Sequence, residues 1–267
     1  MKLHITPLTG TVGAAVDGID LNGPIAAETF AQVKAAFLKH CMLVFRGQFL
    51  GPQSQVAFAR LWGEPMVTAM LDKLQLRDQP EIVQITRIPK ATSSTEAWHY
   101  DGPFNAVPPK LSILSAQVVP TGGDTMWTNQ YVSYDRLSEG MKRMLQGVRV
   151  HFRGLRLARM QGIPDDQVPH AVHPLIRTHP ETGGKVVYIG HSDNVQNFED
   201  MTREETLPIL DHLYRHCTQP DNIYRHMWQV GDVVMWDNRC TMHYAVHYYG
   251  EQERVLNRIT VKGEVPV

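Results

Sequence analysis

Two rhythms of apolar residues run through the chain. Residues 28–41 carry Phe30, Val33, Phe37 and Cys41 at three- to four-residue spacing, which predicts an amphipathic helix. Met42-Leu43-Val44-Phe45 follows, apolar at every position, and predicts a buried strand ended by Arg46-Gly47. A second short helix is expected over 53–62, stopped by Gly63. The opening, 8–21, mixes glycine with β-branched residues in alternation and reads as short strands and turns. Beyond residue 80 the period of two dominates, predicting strands over 81–86, 111–119, 148–152, 172–178, 185–189, 233–236 and 255–261. Pro180-Glu181-Thr182-Gly183-Gly184 has the chemistry of a hairpin turn. Two helices interrupt, over 134–145 and 203–217. Thr202 and Glu205 offer the second a capping box, while Pro208 deep inside it predicts a later start or a kink. Many strands, few helices and no βαβ rhythm point to a mainly β fold with flanking helices, a sandwich or jelly roll.

Composition narrows the classes. No linker, charge block or low-complexity run divides the 267 residues, so one domain over 1–267 is expected. The net charge of −1, with acids and bases interspersed, lacks the basic stripe of a nucleic-acid binder and the polybasic cluster of a membrane-surface protein. No run approaches the ~18 apolar residues of a membrane span, and the start does not read as a secretory signal. Three widely spaced cysteines suit reduced thiols, hence a cytoplasmic setting. The polar, irregular stretch 153–170, with Gly154, Gly162 and Pro164, reads equally as a surface loop or as a lid over substrate.

Thirteen histidines invite a search for metal ligands. In Trp98-His99-Tyr100-Asp101, residues two apart on a strand share a face, so His99 and Asp101 can reach one ion. Alone, His-x-Asp is explained as well by a polar strand edge. A third ligand is offered by Trp236-Asp237-Asn238-Arg239-Cys240-Thr241-Met242-His243, a buried strand and turn that present His243. Two imidazoles and one carboxylate suit Fe(II) and leave positions for cosubstrate and oxygen. Downstream, Arg254 and Arg258 fall on one face of an extended strand. If buried, they demand anions. Gly122-Gly123-Asp124-Thr125 is by itself a tight turn followed by a hydroxyl.

Together these pieces resemble, in order and over essentially the whole chain, the family of taurine dioxygenase and 2,4-dichlorophenoxyacetate dioxygenase. The resemblance rests on Gly18-Ile19-Asp20-Leu21, Trp98-His99-x-Asp101, Gly122-Gly123-Asp124-Thr125, Trp236-Asp237-Asn238-Arg239 with His243, and the Arg254/Arg258 pair. It implies a double-stranded β-helix (a cupin-like jelly roll) and hydroxylation dependent on Fe(II), 2-oxoglutarate and O2, with release of succinate and CO2. His99, Asp101 and His243 match the iron ligands. Thr125 and Arg254 match the residues that hold the distal carboxylate of 2-oxoglutarate, and Arg258 one that binds an anionic substrate. The family also implies a homo-oligomer, dimer or tetramer.

The chain departs from the taurine-using pattern where an ungapped alignment puts Met70, Lys73 and Thr95 at polar substrate-gripping positions. The resemblance also implies that Gly102, after Asp101, brings its backbone N–H toward the substrate anion. These departures favour a small organic anion with an apolar body, such as an aryloxyalkanoate, an alkyl sulfate or another carboxylate, over taurine. His151, His173, His179 and His191 are further candidates for substrate contact, each more often structural. Competing readings are a zinc hydrolase or lyase on the same ligands, and a non-catalytic jelly-roll binding protein.

Overall fold

Strands buried on both faces build the centre of the molecule, and their alternation decides what points where. The computed structural model describes residues 2–67, 69–86 and 95–267. Its main sheet contains β1 (His4–Pro7), β2 (Ala14–Asp17), β3 (Met42–Phe45), β4 (Gln75–Leu76), β5 (Gln79–Ile85), β6 (Pro109–Val118), β14 (Val233–Asp237) and β16 (Val255–Lys262). Their order is β1-β2-β3-β14-β6-β16-β5-β4, antiparallel except for β2–β3. A second sheet, β13-β7-β15, is made of β7 (Thr125–Asn129), β13 (Ile223–His226) and β15 (Thr241–Ala245). The remaining strands are β8 (Arg149–Arg153), β9 (His170–Pro174) and β12 (Val195–Phe198), in order β12-β8-β9, and the hairpin of β10 (Ile176–Thr178) with β11 (Lys185–Val187).

The period of two sorts the main sheet into an outer and an inner face. On the outer face Leu43, Phe45, Leu111, Ile113, Val233, Met235, Ile259 and Val261 pack with α1 (Ala27–His40) and α2 (Pro52–Trp62) through Phe37, Phe58 and Trp62. On the inner face Met42, Val44, Leu114, Val234, Trp236 and Leu256 pack against Trp127 of β7, closing a jelly roll. This explains why the run Met42–Phe45 is apolar throughout. One polar side chain crosses the helix–sheet layer: Gln55 of α2 is fully buried and donates to the carbonyls of Ile113 and Asn257.

Most predicted elements are found, with informative differences. The helix expected over 134–145 is two, α3 (Gln130–Asp135) and α4 (Glu139–Leu145), because Ser138 starts a new helix by accepting from the Met141 N–H. The strand expected over 172–178 divides at the buried Leu175, where the chain passes from pairing with β8 to pairing with β11. Pro208 does not delay its helix. α6 (Arg203–Cys217) begins at Arg203, secured by the Thr202/Glu205 capping box. Nor is 153–170 irregular: it holds α5 (Leu155–Gln161) and a 3-10 turn, Asp165–Gln167, anchored by buried Ala158 and Val168. No helix among the described residues is long and apolar enough to cross a membrane.

Trp62 meets the rings of Phe30 and Phe37 edge-on at 5.0 Å each, so the helix layer rests on a tight aromatic cluster. Phe37→Ala should cost about 3–5 kcal/mol in equilibrium denaturation, since a fully buried ring leaves a cavity. Metal affinity should not change, because this cluster lies on the face of the sheet away from the candidate site.

Candidate functional site

The interior between the two sheets receives side chains from both. β15 pairs with β7 so that His243 lies opposite Trp127 and Ala245 opposite Thr125. By alternation His243 and Thr125 therefore share the inward face of the second sheet. His99 joins this sheet through a single antiparallel bridge. Its N–H donates to the His243 carbonyl at 3.0 Å, and the His243 N–H returns a bond to the His99 carbonyl at 2.9 Å. The two imidazoles consequently stand side by side, ring centres 4.1 Å apart. Asp101, two residues beyond His99, completes a set whose ligand atoms all lie within 4.8 Å of one another.

The protonation states suit a cation. His99 Nδ1 lies 2.7 Å from the Ala97 carbonyl, so it carries the proton and leaves the Nε2 lone pair for a ligand role. Burial, reinforced by neighbouring His99, pushes His243 well below its ordinary value, so its imidazole is neutral at pH 7. Among the described residues His243 Nδ1 is buried without a hydrogen-bond partner, and Nε2 lies 3.8 Å from Asp101 Oδ1. Burial works against the Asp101 carboxylate. Arg258, 3.2 Å from Oδ1, overcomes this with help from the Ser112 hydroxyl, and the group stays ionised far below the ordinary carboxylate range. Two imidazoles, one of them neutral, and one ionised carboxylate converging between the two sheets form a donor set that Fe(II) fits.

Thr125 shares the sheet face of His243, and Arg254 lies against the Gly122-Gly123 turn that leads into Thr125. Arg254 immediately precedes β16, whose pairing with β6 shifts register between Val255 and Leu256; it is buried and its guanidinium sits over the Tyr249 ring at 5.9 Å. Among the described residues its Nε has no hydrogen-bond partner and no carboxylate pairs with it. Burial lowers its affinity for the proton. The Gly122-Gly123 turn now has a reason. At Gly122, with φ of +85°, a Cβ would sit 2.3 Å from the Tyr248 carbonyl oxygen, and at Gly123 it would approach Arg254 Nε at 3.4 Å. The glycines let the turn press against both, just before Thr125. Trp228 Nε1 donates to the Thr125 hydroxyl at 3.0 Å, which orients its own proton away from the indole.

Other expected residues separate into distinct places. Gly102, with φ of +55°, follows Asp101 directly. Thr95 Oγ1 is 3.1 Å from His247 Nε2, and its carbonyl accepts from the Ala245 N–H. Met70 belongs to a 3-10 turn (Ala69–Leu74), but its side chain lies outside the described residues; Lys73 is exposed. His173 bonds the Asn105 carbonyl at 2.9 Å, and His191 pairs with Asp193. His179 is buried against Asp237. With Cys240 these two form a second group of ligand-type atoms, but Arg239 already occupies both Asp237 oxygens and leaves no role for a cation there. Asp237 and Arg239 instead pin the turn that carries the chain from β14 to β15. Two residues, Ser112 and Trp228, went unnoticed in the sequence, and Asn238 was read only as part of the turn before His243. Ser112 donates to Asp101 Oδ2 at 2.6 Å, Asn238 donates to Ser112, and Trp228 holds Thr125. Serines interrupting the apolar β6 at 112 and 115 were the available signal for the first.

Folded His243 and Asp101 bind protons more weakly than the unfolded chain does, so unfolding takes up protons as pH falls. Their contribution to stability is complete above the ordinary histidine value of 6.5 and erodes below it, with Asp101 adding losses only below 3.8. In metal-free protein, melting temperature should therefore decline between pH 7.5 and 5.5, and His243→Gln should flatten that decline. An unchanged slope in the variant would contradict the assignment.

The sequence profile described as the taurine catabolism dioxygenase TauD, TfdA family matches residues 4–260. The chain is 32% identical to the α-ketoglutarate-dependent sulfate ester dioxygenase of Pseudomonas putida, covering 100% of this chain and 92% of that protein. It is 31% identical to the α-ketoglutarate-dependent 2,4-dichlorophenoxyacetate dioxygenase of Cupriavidus pinatubonensis, over the full length of both. A crystal structure of a taurine dioxygenase from Burkholderia xenovorans superposes with a TM-score of 0.88 at 32% identity, covering 99% of this chain and 91% of that one. A metal-type triad on the inner wall of a jelly roll and a match across nearly the whole sequence lead to one conclusion: the chain belongs to the TauD/TfdA dioxygenase family.

Proposed function

We propose that the chain hydroxylates a small organic anion at Fe(II) held by His99, Asp101 and His243, consuming 2-oxoglutarate and O2. The observation that carries this reading is the convergence of three ligand atoms within 4.8 Å in a buried cleft flanked by arginine. Relatives named as α-ketoglutarate-dependent dioxygenases support it over a zinc hydrolase, a zinc lyase or a non-catalytic binding protein. Bound iron, with 2-oxoglutarate and O2, supplies the oxidising power to insert oxygen into a C–H bond, giving succinate and CO2 as co-products.

The protein's own residues do the positioning. Arg254, buried and without a carboxylate partner among the described residues, takes the distal carboxylate of 2-oxoglutarate together with the Thr125 hydroxyl. A buried guanidinium left alone is costly, so the cosubstrate is also its counter-ion. Arg258 uses NH1 to hold Asp101, while its buried Nε is unpartnered and faces the task of binding the substrate anion. The family pattern assigns Gly102, Thr95 and Met70 to the substrate as well. Sulfate esters and aryloxyacetates, named for the two relatives, are anions joined to an apolar body, which is the class favoured here.

The same reading takes 1–267 as one domain, consistent with a family match that begins at residue 4 and ends at 260. It takes 153–170 as a lid, since Gly154 backs directly onto the ring of Phe104, three residues after Asp101. It also takes the protein as a cytoplasmic homo-oligomer, dimer or tetramer, to which exposed Phe49, Met227 and Tyr248 offer apolar surface.

Oxygen uptake and succinate release, measured with Fe(II), 2-oxoglutarate and a panel of sulfate esters, sulfonates and aryloxyalkanoates, test the activity. At least one panel member should stimulate both, and His99→Ala or Asp101→Ala should abolish both while the fold persists. Succinate formation undiminished in either variant would refute the metal assignment. Arg254→Ala should raise the KM for 2-oxoglutarate on the order of 100-fold, as expected for a charge-assisted bond of about 3 kcal/mol. Arg258→Ala should raise the KM for primary substrate more than that for 2-oxoglutarate, and equal losses would show the two arginine roles to be misassigned.

A further inference from the structure

Behind Asp101 runs a line of buried polar groups that the activity does not itself require. Trp236 Nε1 donates to Asn238 Oδ1 at 2.8 Å, Asn238 Nδ2 donates to Ser112 Oγ at 2.8 Å, and Ser112 Oγ donates to Asp101 Oδ2 at 2.6 Å. Each link has one permitted direction. The indole can only donate, so Asn238 must present its carbonyl oxygen to Trp236 and its amide to Ser112. The serine oxygen, having accepted that bond, must spend its single proton on the carboxylate. Ser112 and Asn238 are 0% and 1% exposed, Trp236 is 1% exposed, and all three sit on rigid strand or turn backbone. Asn238 is fixed further by its N–H, which donates to the Lys110 carbonyl.

We propose that Ser112, oriented by Asn238 and Trp236, is a positioning residue that reserves Asp101 Oδ2 and presents Oδ1 alone to the metal. The inference rests on the metal reading above and deepens it. A carboxylate turns readily about its terminal torsion, and without restraint it can offer either oxygen or both. Here the two oxygens face different partners. Oδ2 is taken by a short O–H···O bond, whereas Oδ1 faces the imidazole of His243 and the Arg258 guanidinium. Asp101 is thereby held so that it would offer a single oxygen to a metal. The same relay ties the metal carboxylate to the Trp236-Asp237-Asn238-Arg239 turn, whose tryptophan ring also packs 4.8 Å from His243. One turn therefore sets the orientation of two of the three ligands.

The test is Mn(II) affinity of the purified full chain, measured by calorimetry or electron paramagnetic resonance, with the melting temperature of the metal-free protein in parallel. Wild type should bind one Mn(II), and His99→Ala should bind it far more weakly. Ser112→Ala should weaken binding about 10- to 100-fold, the scale for groups that orient a metal ligand. Its metal-free melting temperature should stay within a few degrees of wild type. Ser112→Thr, which keeps the hydroxyl, should restore most of the affinity. Asn238→Ala should shift affinity in the same direction by a smaller factor and decides the matter if Ser112→Ala does not fold. Affinities for both variants within about twofold of wild type would overturn the proposal while leaving the metal centre standing. Equal binding by wild type and His99→Ala would overturn the metal centre and the proposal with it.

Discussion

A carboxylate buried beside two imidazoles has to stay ionised, and the arrangement around Asp101 is what makes that affordable. Desolvation alone would drive a proton onto it, and a protonated Asp101 would be a poor partner for a cation. Arg258, reaching from β16 across the barrel interior, supplies the countercharge, and Ser112 supplies a hydrogen bond to the other oxygen. Meanwhile the dry surroundings keep His243 neutral, the form in which imidazole can act as a ligand. Opposite demands on an acid and a base are met in one cleft by placing a single guanidinium against the acid.

The jelly roll matters because it aims side chains from distant stretches of sequence at one interior. His99 and His243 are 144 positions apart in the numbering, yet the reciprocal backbone bonds between them fix the rings side by side. Thr125 shares their sheet face through the β7–β15 register, and Arg258 enters from the opposing sheet. Shifting any of these strands by one residue would turn its functional side chain to the wrong face. The helices α1 and α2 contribute by covering the outer face, which lets the strands be apolar throughout and keeps their alternation firm.

Much of this was written locally. The run Met42–Phe45, the capping box at Thr202 and the alternation in β14 and β16 each specify their element through neighbouring residues, and those elements are found. The triad's members were legible for the same reason, since His99 and Asp101 stand two apart and His243 follows a strand and turn, and the three side chains cluster in the fold. What escaped notice depends on contacts between segments. Leu175 divides one apolar run into two strands because different partners bid for its two sides, and no local pattern records that. Ser112 meets Asp101 only because β6 passes behind the His99 segment, and Trp228 reaches Thr125 only across the second sheet. The surroundings of Arg254 were likewise hidden, since burial and the want of a carboxylate partner belong to the folded chain.

The central claim is that His99, Asp101 and His243 hold one ferrous ion. Crystals grown without oxygen in the presence of Fe(II), with diffraction recorded on either side of the iron absorption edge, address it directly. The account predicts a single strong anomalous peak within coordination distance of all three side chains. A peak lodged elsewhere, or none at this triad in fully loaded protein, would contradict it.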